Sequence, residues 1–244
     1  MPKIAIVAAL EREVKPLLAH WRLHPGEHGG KSFQFFEKGE AVLICGGIGA
    51  EAARRATEAV IALYTPAIIY SVGFAGALQQ NLKAGDVVMP RRVLDARDGS
   101  SADTGAGDGV LVTTASIAGR TEKEQLAASY GALATDMEAA HVARGAQARG
   151  VRFAAVKAIS DELGFAMPLM QPFVGLGGEF DTPRFVRFTL LRPWLWPSLV
   201  QLARNTHRAA GALSSHLEQM IENFPAEAGA STAVTDRWNT VESR

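Results

Sequence analysis

Short runs of β-branched and other apolar residues alternate along this chain with longer stretches that carry apolar residues at helical spacing. Six short runs are predicted strands: residues 3–9, 41–47, 67–73, 86–94, 110–114 and 153–160. Four stretches between them are predicted amphipathic helices: residues 11–21, 49–64, 123–131 and 137–150. Because strands that alternate with helices form a mostly parallel sheet covered on both faces, the pattern predicts an α/β domain of three layers, αβα.

Length and composition favour one ordinary globular domain. The chain has 244 residues, and its 25 basic and 25 acidic residues balance, so no global charge points to a nucleic acid or a membrane. We expect one domain over residues 1–222, and a mobile tail over the small, polar residues 223–244. The single cysteine suits a reducing cytosol, and no signal-peptide pattern or membrane-spanning run is evident, so we expect a cytoplasmic protein.

Carboxylates follow three of the predicted elements, at Glu13, Glu138 and Asp161. Ligands of α/β sheets bind beyond the carboxyl ends of the strands, so these residues are candidates for one site. Each alone could be a helix cap or a surface acid. Together they suggest glycosidic chemistry, in which one carboxylic acid protonates the leaving group and another carboxylate activates water.

Five stretches carry a family resemblance: AIVAALEREVKPLL, GGIGAEAARRATEAVI, SVGFAGALQQNLKAGDVV, ATDMEAAHVARGAQARGV and AVKAISDE. In order and approximate spacing they resemble the methylthioadenosine/S-adenosylhomocysteine nucleosidase branch of the purine nucleoside phosphorylase superfamily. The resemblance covers residues 3–162. It implies a nucleoside phosphorylase/nucleosidase-like αβα fold with a mixed, mostly parallel sheet, a homodimer, and a small-molecule nucleoside as substrate. We expect no cofactor and no nucleic-acid partner.

The resemblance also implies roles for particular residues. Glu13 falls on the glutamate that activates water, and Glu138, after Met137, falls on the glutamate that accepts hydrogen bonds from the ribose hydroxyls. Asp161, after Ser160, falls on the aspartate that protonates purine N7. Such an acid speeds cleavage only if it is protonated near neutral pH, which an apolar pocket would support, whereas the base must be ionised.

The turn after the first strand favours water over phosphate as the nucleophile. Phosphorylases of the superfamily resemble one another in a Gly-Asp-Pro-x-Arg-type turn, whereas this chain has Glu11 and Glu13, which would repel a dianion. The glycines of residues 46–49 lack the Lys-Ser/Thr of a phosphate loop and are interpreted as tight strand-to-helix packing. A phosphate-dependent phosphorylase stays as an alternative.

Several residues depart from the methylthioadenosine type. Phe74 stands where a small polar residue is usual, and Lys157 replaces an arginine that helps to hold the attacking water. Ser116 and Ile117 lie in the segment expected to hold the purine, which here lacks an aromatic residue. A futalosine-type substrate and a protein that binds a nucleoside without cleaving it therefore also stay open.

Residues 164–197 form an insert relative to that family, and its aromatic residues interleave with Arg184, Arg187 and Arg192. Such a mixture suits lipid headgroups or a long apolar substrate tail, and equally a lid or a dimer interface. The stretches LLRPW and LARNT resemble the hopanoid-associated branch, whose members remove adenine from adenosylhopane. A bulky hydrocarbon of that kind needs a large apolar channel.

Two further patterns in the sequence are weaker evidence for function. His20, His24 and His28 recur every four residues, but no carboxylate or cysteine completes a ligand set and Pro25-Gly26 would break a helix, so we expect no metal site. The stretch GRTEKEQ, residues 119–125, is predicted to be the solvated start of a helix.

Overall fold

The computed structural model describes residues 3–167, 170–175 and 177–235. Eleven strands among these residues form one sheet. The strands are β1 (Ile4–Ala8), β2 (Arg22–His28), β3 (Lys31–Lys38), β4 (Ala41–Cys45), β5 (Ile68–Ala77), β6 (Val87–Val88), β7 (Arg92–Asp95), β8 (Ser101–Asp103), β9 (Val110–Thr113), β10 (Ala134–Asp136) and β11 (Arg152–Asp161). The helices are α1 (Glu11–Val14), α2 (Ala50–Tyr64), α3 (Arg120–Tyr130), α4 (Ala139–Gln147), α5 (Thr182–Leu190) and α6 (Trp196–Thr235).

The sheet is mixed. Its spatial order is β2-β3-β4-β1-β5-β10-β9-β7-β8, and β11 pairs with β5 and β6 beside this path. The pairs β4–β1, β1–β5 and β5–β11 at the centre are parallel, whereas the hairpins β2–β3 and β7–β8 at the edges are antiparallel. Helices cover both faces, so the predicted αβα fold with a mixed sheet is confirmed.

Strand β1 explains why helices must cover both faces. Its residues are buried throughout, with Ala5 and Val7 in one apolar cluster and Ile4 and Ile6 in another on the opposite face. The first cluster includes residues of α2 and α4, and the second includes residues of α6. A strand without a polar side chain has no face to offer to water, so both faces need a helix layer.

One strand prediction needs correction, and one hairpin was not predicted. The predicted strand at residues 86–94 is two strands, β6 and β7, separated around Pro90, which has no N–H for a sheet ladder. The hairpin β2–β3 was not predicted, because β2 is mostly exposed and contains Pro25 and Gly26. Gly29 and Gly30, both with positive φ, form its two-residue turn.

The C-terminal boundary falls inside a helix. Residues 223–235 continue α6, and residues 236–244, the rest of the predicted tail, lie outside the described residues. No helix in the described part of the chain has the length and hydropathy that crossing a bilayer requires.

Strand β11 ends in an irregularity that matters for the site. Its pairing with β5 shifts by one residue between Ile159 and Asp161, so Ser160 is an extra residue in the ladder. Such a bulge redirects the side chains that follow it, and consecutive residues Ser160 and Asp161 both line the same cavity. Strand β10 reaches this cavity because it runs antiparallel along the last residues of β5.

Candidate active site

A cavity of about 480 Å³ lies where β1, β5, β10 and β11 end. Eight of the nine candidate residues line it: Glu13, Phe74, Ser116, Ile117, Met137, Glu138, Ser160 and Asp161. The ninth, Lys157, does not line the cavity and is 1% exposed beneath it. Its side chain is paired with the buried carboxylate of Asp136, and a contact between Lys157 and substrate stays a prediction.

Glu13 is buried at the turn that follows β1. The Leu10 N–H donates to its carboxylate at 3.3 Å. Burial raises the pKa of Glu13 above its ordinary value, and the positive charge of Lys157 opposes that rise. Desolvation thus dominates, and the Glu13 carboxyl takes up a proton from solution more readily than an exposed glutamate does.

Gly73 of β5 makes room for this carboxylate. Its φ is +147°, and an added Cβ would lie 2.7 Å from Oε2 of Glu13. A side chain at this position would therefore displace the Glu13 carboxylate or strain the strand.

Glu138 stands at the start of α4 and meets the start of α2. Its Oε1 accepts a hydrogen bond from Gly49 N–H at 2.8 Å, and Gly49 directly precedes α2. The electropositive end of α2 is therefore occupied by a carboxylate of the chain itself. An added Cβ at Gly46 would lie 2.6 Å from the Ala56 Cβ, so tight packing also accounts for this glycine.

Burial raises the pKa of Glu138 to about 8, with the negative charge of Asp136 adding to the rise and Lys157 opposing it. The carboxyl group of Glu138 can thus gain or lose a proton near neutral pH.

A buried ion pair underlies these two glutamates. Lys157 Nζ lies 2.9 Å from Asp136 Oδ2 and donates to Ser71 Oγ at 3.1 Å. Asp136 also accepts from the Thr113 hydroxyl at 2.6 Å and from Ala139 N–H at 2.9 Å. Burial acts to lower the pKa of Lys157, but the surrounding carboxylates, Asp136 foremost, outweigh it and raise that pKa. Lys157 is therefore a fixed cation between buried acids.

Asp161 is bound by a second buried lysine. Lys123 of α3, 1% exposed, forms an ion pair with Oδ2 of Asp161 and also donates to the Glu162 carbonyl at 3.0 Å. The Ser160 hydroxyl donates to the other Asp161 oxygen at 2.7 Å. The surroundings of Asp161 are thus more polar than the expected apolar pocket.

Sequence reasoning missed Lys123. The prediction that residues 119–125 are solvated is wrong at this residue, although the neighbouring helix residues Arg120 and Glu124 are exposed. The available signal was spacing, since Lys123 lies three residues before the buried Leu126, on the same face of α3.

The outer wall of the cavity is apolar and comes largely from the insert and from α6. Its apolar lining residues are Met167, Met170, Phe180, Phe185, Val186, Leu199, Leu202 and Ala203. The insert is also joined to the expected purine segment, because Ile117 N–H donates to Gln171 Oε1 at 3.3 Å. Arg12 lies 5.4 Å above the ring of Phe180. The cavity thus joins a carboxylate-rich floor to an apolar mouth.

The described residues contain no cluster of three or more His, Cys, Asp or Glu side chains that could hold a metal ion. His24 and His28 lie on strand β2 and His20 in a short 3-10 turn, so the four-residue spacing does not place them on one helix.

The raised pKa of Glu138 predicts how the free energy of unfolding depends on pH. The folded state holds this proton more tightly than the unfolded state between the ordinary pKa of 4.5 and about 8, so raising the pH over that range destabilises wild type. Glu138→Gln cannot titrate, so its stability relative to wild type should increase from pH 5 to pH 8, by at most about 1.4 kcal/mol per pH unit. Urea unfolding at several pH values measures this, with the exposed Glu11→Gln as control. The same pH dependence of the free energy of unfolding in wild type and in Glu138→Gln would contradict this prediction.

A family model described as the phosphorylase superfamily matches residues 3–112 and 106–169, more than half of the chain. Among curated proteins, the 5′-methylthioadenosine/S-adenosylhomocysteine nucleosidase of Buchnera aphidicola subsp. Acyrthosiphon pisum is 34% identical over 93 residues, which are 37% of this chain. The protein of that name from Buchnera aphidicola subsp. Schizaphis graminum is 30% identical over 101 residues, 37% of this chain. The match spans 40% of the length of each relative.

Solved structures match over most of their length. The nucleosidase of the same name from Helicobacter pylori superposes with a TM-score of 0.68 at 17% identity, covering 91% of this chain and 98% of that one. The 5′-methylthioadenosine nucleosidase of Arabidopsis thaliana gives 0.69 at 18% identity, with 91% and 96% covered. Futalosine hydrolase of Helicobacter pylori gives 0.67 at 17% identity, with 91% and 98% covered. At these identities the likeness establishes the fold.

Proposed function

This chain belongs to the phosphorylase superfamily, and we propose that it is a nucleosidase that hydrolyses the N-glycosidic bond of an adenosine-type nucleoside and releases adenine. The observation that carries the proposal is the set of acids around one cavity, the buried Glu13 and Asp161 and the half-buried Glu138, each with a different partner. Hydrolysis of such a bond needs a base for water, an acid for the leaving group and negative charge beside the cationic sugar.

Glu13 is proposed as the general base. When ionised, it would take one proton from a water molecule whose oxygen then bonds to C1′ of the ribosyl cation. Because burial raises the pKa of Glu13, the rate should decline toward acid pH sooner than for an ordinary glutamate. Glu138, with its second oxygen toward Met137 N–H at 3.3 Å, is proposed to bind the ribose hydroxyls and, when ionised, to stabilise the cation.

Asp161 is proposed as the general acid, with Lys123 as its proton source. As the bond between C1′ and the base nitrogen breaks, its electron pair moves into the purine, and N7 must gain a proton. The Lys123 ammonium would pass one proton to the Asp161 carboxylate, which would pass it on to N7, and the neutral Lys123 amine would then regain a proton from solvent. Lys123 would act through Asp161, so it is a positioning residue.

The charges of the cavity favour water over phosphate. Lys123 and Lys157 are each paired with a carboxylate, and Arg12 lies over an aromatic ring. A phosphate dianion in the nucleophile position would instead meet the buried Glu13. The phosphate-dependent alternative therefore has less support, and the non-catalytic binder has least, because buried acids without a chemical role are costly.

The apolar mouth favours a bulky substituent at the 5′ position. Phe74 and the methionine, phenylalanine and leucine side chains of the outer wall would contact such a group, and desolvating it there is favourable. We therefore propose an adenosyl-lipid such as adenosylhopane ahead of methylthioadenosine or S-adenosylhomocysteine. The homodimer implied by the resemblance stays a prediction.

The substrate is tested by adenine release from methylthioadenosine, S-adenosylhomocysteine, futalosine and an adenosyl-lipid, each with and without phosphate. We expect phosphate-independent release, with the highest kcat/KM for the adenosyl-lipid. Preference for a small nucleoside would overturn the lipid assignment and leave the hydrolytic mechanism standing. Failure with all four would overturn both.

The close approach of Gly73 gives a prediction for the base. Gly73→Ala should displace the Glu13 carboxylate and lower kcat by about 100-fold, since a displacement of roughly 1 Å costs that much. Gly99→Ala is the matched control, because Gly99 also has positive φ but nothing lies within 4 Å of its added Cβ. Steady-state kinetics of both variants test this prediction. Equal, small losses in the two would show that Glu13 need not occupy its observed position.

A further inference from the structure

Exposed apolar side chains concentrate in one short segment beside the cavity mouth. Nine large hydrophobic residues are exposed in the described part of the chain, and six of them lie between residues 186 and 200: Val186, Leu190, Leu191, Trp194, Trp196 and Val200. We call these six residues the apolar patch. Leu191 is 73% exposed and Trp194 is 69% exposed. Exposed apolar side chains concentrated in one segment mark an interaction surface.

The chain around the apolar patch is also strongly basic. From Thr182 to Leu217 the chain contains five arginines and no aspartate or glutamate, although the whole chain has a net charge of zero. Three of them, Arg184, Arg187 and Arg192, line a second cleft of about 300 Å³ together with Leu191 of the apolar patch. Cationic and apolar side chains thus lie close together in this part of the chain. Anionic lipid surfaces bind that combination.

Two of these arginines, Arg184 and Arg192, are held in place by aromatic rings and backbone oxygens. The Arg192 guanidinium lies 3.8 Å from the centre of the Phe188 ring and donates to the Phe188 carbonyl at 3.0 Å. Arg184 lies 5.6 Å above the ring of Phe173. Within the described residues none of these three arginines forms an ion pair with a carboxylate, so their charges are available to an anionic partner.

The tryptophans suit the interface between headgroups and acyl chains. The Trp196 indole N–H donates to the Thr189 carbonyl at 3.1 Å, which fixes its ring while leaving the side chain exposed. Trp194, two residues earlier, is more exposed still. Indole rings favour this depth because one edge is polar and the body is apolar.

We propose that the apolar patch and the arginine cleft dock this protein on an anionic lipid bilayer, with the cavity mouth facing the membrane. Val186 belongs both to the patch and to the cavity lining, so the docking surface continues into the cavity. A nucleoside with a membrane-embedded tail would then enter from the bilayer without crossing water. That link to substrate rests on the proposed function, whereas the docking itself does not.

Vesicle sedimentation tests the docking. The full-length protein is mixed with vesicles of equal parts phosphatidylcholine and phosphatidylglycerol, and with vesicles of phosphatidylcholine alone. We expect binding to the anionic vesicles, and Leu191→Ser with Trp194→Ser should weaken it by at least about tenfold. Arg187→Gln should weaken it by about fivefold. Leu23→Ser and Arg149→Gln, at exposed positions outside the segment, should leave it unchanged.

The outcomes separate docking from catalysis. Absence of binding to anionic vesicles, or equal binding by wild type and the patch variants, would overturn the docking proposal. So would a change of molar mass in light scattering for Leu191→Ser with Trp194→Ser, because the patch would then lie between two copies of the chain. Adenine release from methylthioadenosine should be the same in this variant and wild type. Vesicle binding without adenine release from any nucleoside would leave the docking standing and overturn the proposed function.

Discussion

Glu13→Gln is expected to lower kcat by about 10²- to 10⁴-fold while leaving the fold intact, which is the range that general base catalysis contributes. The amide keeps the size of the carboxyl group and its hydrogen-bond acceptor for Leu10 N–H, but it cannot take a proton from water. Because Glu13 is buried and its pKa is raised, the neutral amide also removes a desolvation cost. Thermal unfolding should therefore show an unchanged or higher melting temperature.

Glu11→Gln is the matched control for this variant. Glu11 lies in the same turn with the same charge, but its side chain is exposed. Turnover of Glu11→Gln should equal that of wild type. If Glu13→Gln also turned over normally, or if both variants lost activity equally, Glu13 would not be the base.

Asp161→Asn is expected to lower kcat by about 10²- to 10⁴-fold, because the amide cannot hand a proton to purine N7. The loss should be greatest for substrates whose base leaves poorly without protonation. Removing this carboxylate also leaves Lys123 buried without its partner, which costs about 3–5 kcal/mol when a buried pair is broken. Kinetics should therefore be measured below the melting temperature of the variant, with circular dichroism on the same sample.

Two further variants test whether the loss of kcat in Asp161→Asn is specific to this carboxylate. Glu162→Gln changes the next residue, whose side chain pairs with the exposed Lys83, and it should retain wild-type turnover. Lys123→Met removes the proposed proton source but keeps the carboxyl group, so its loss of kcat should lie between those of Glu162→Gln and Asp161→Asn. A loss for Lys123→Met as small as that for Glu162→Gln would show that Asp161 does not need Lys123 as its proton source.

The centre of the sheet could be predicted because its strands are continuous apolar runs. Residues of β1, β4 and β11 are buried on both faces, so a short apolar run bounded by glycine or polar residues identifies each of them. Strand ends follow from the runs, and the rule that ligands bind there selects Glu13 and Asp161. Local patterns were sufficient at these positions because burial leaves few alternatives.

The hairpin β2–β3 could not be predicted from the same pattern. Its first strand is stabilised by pairing with its neighbour, while Pro25 and Gly26 disfavour a strand locally. Tertiary pairing therefore overrides local propensity. The break at Pro90 is the opposite case, since a single missing N–H divides a run that periodicity treats as continuous.

Lys123 illustrates what sequence patterns omit at the site. A lysine between two glutamates at the start of a helix is typical of a solvated turn, and its acceptor Asp161 is 38 residues away in the chain. Only the folded structure joins the two. The ion pair of Lys157 could not be predicted for a related reason, because its partner Asp136 lies on a different strand, β10.

The nucleophile is the most direct test of the proposed chemistry. The reaction is run in ¹⁸O-labelled water containing phosphate, with an adenosine-type nucleoside that the enzyme cleaves, and the sugar product is analysed by mass spectrometry. Hydrolysis assisted by Glu13 predicts free sugar with one ¹⁸O at C1, formed at a rate independent of phosphate. A sugar 1-phosphate without the label would contradict it and assign the reaction to a phosphorylase.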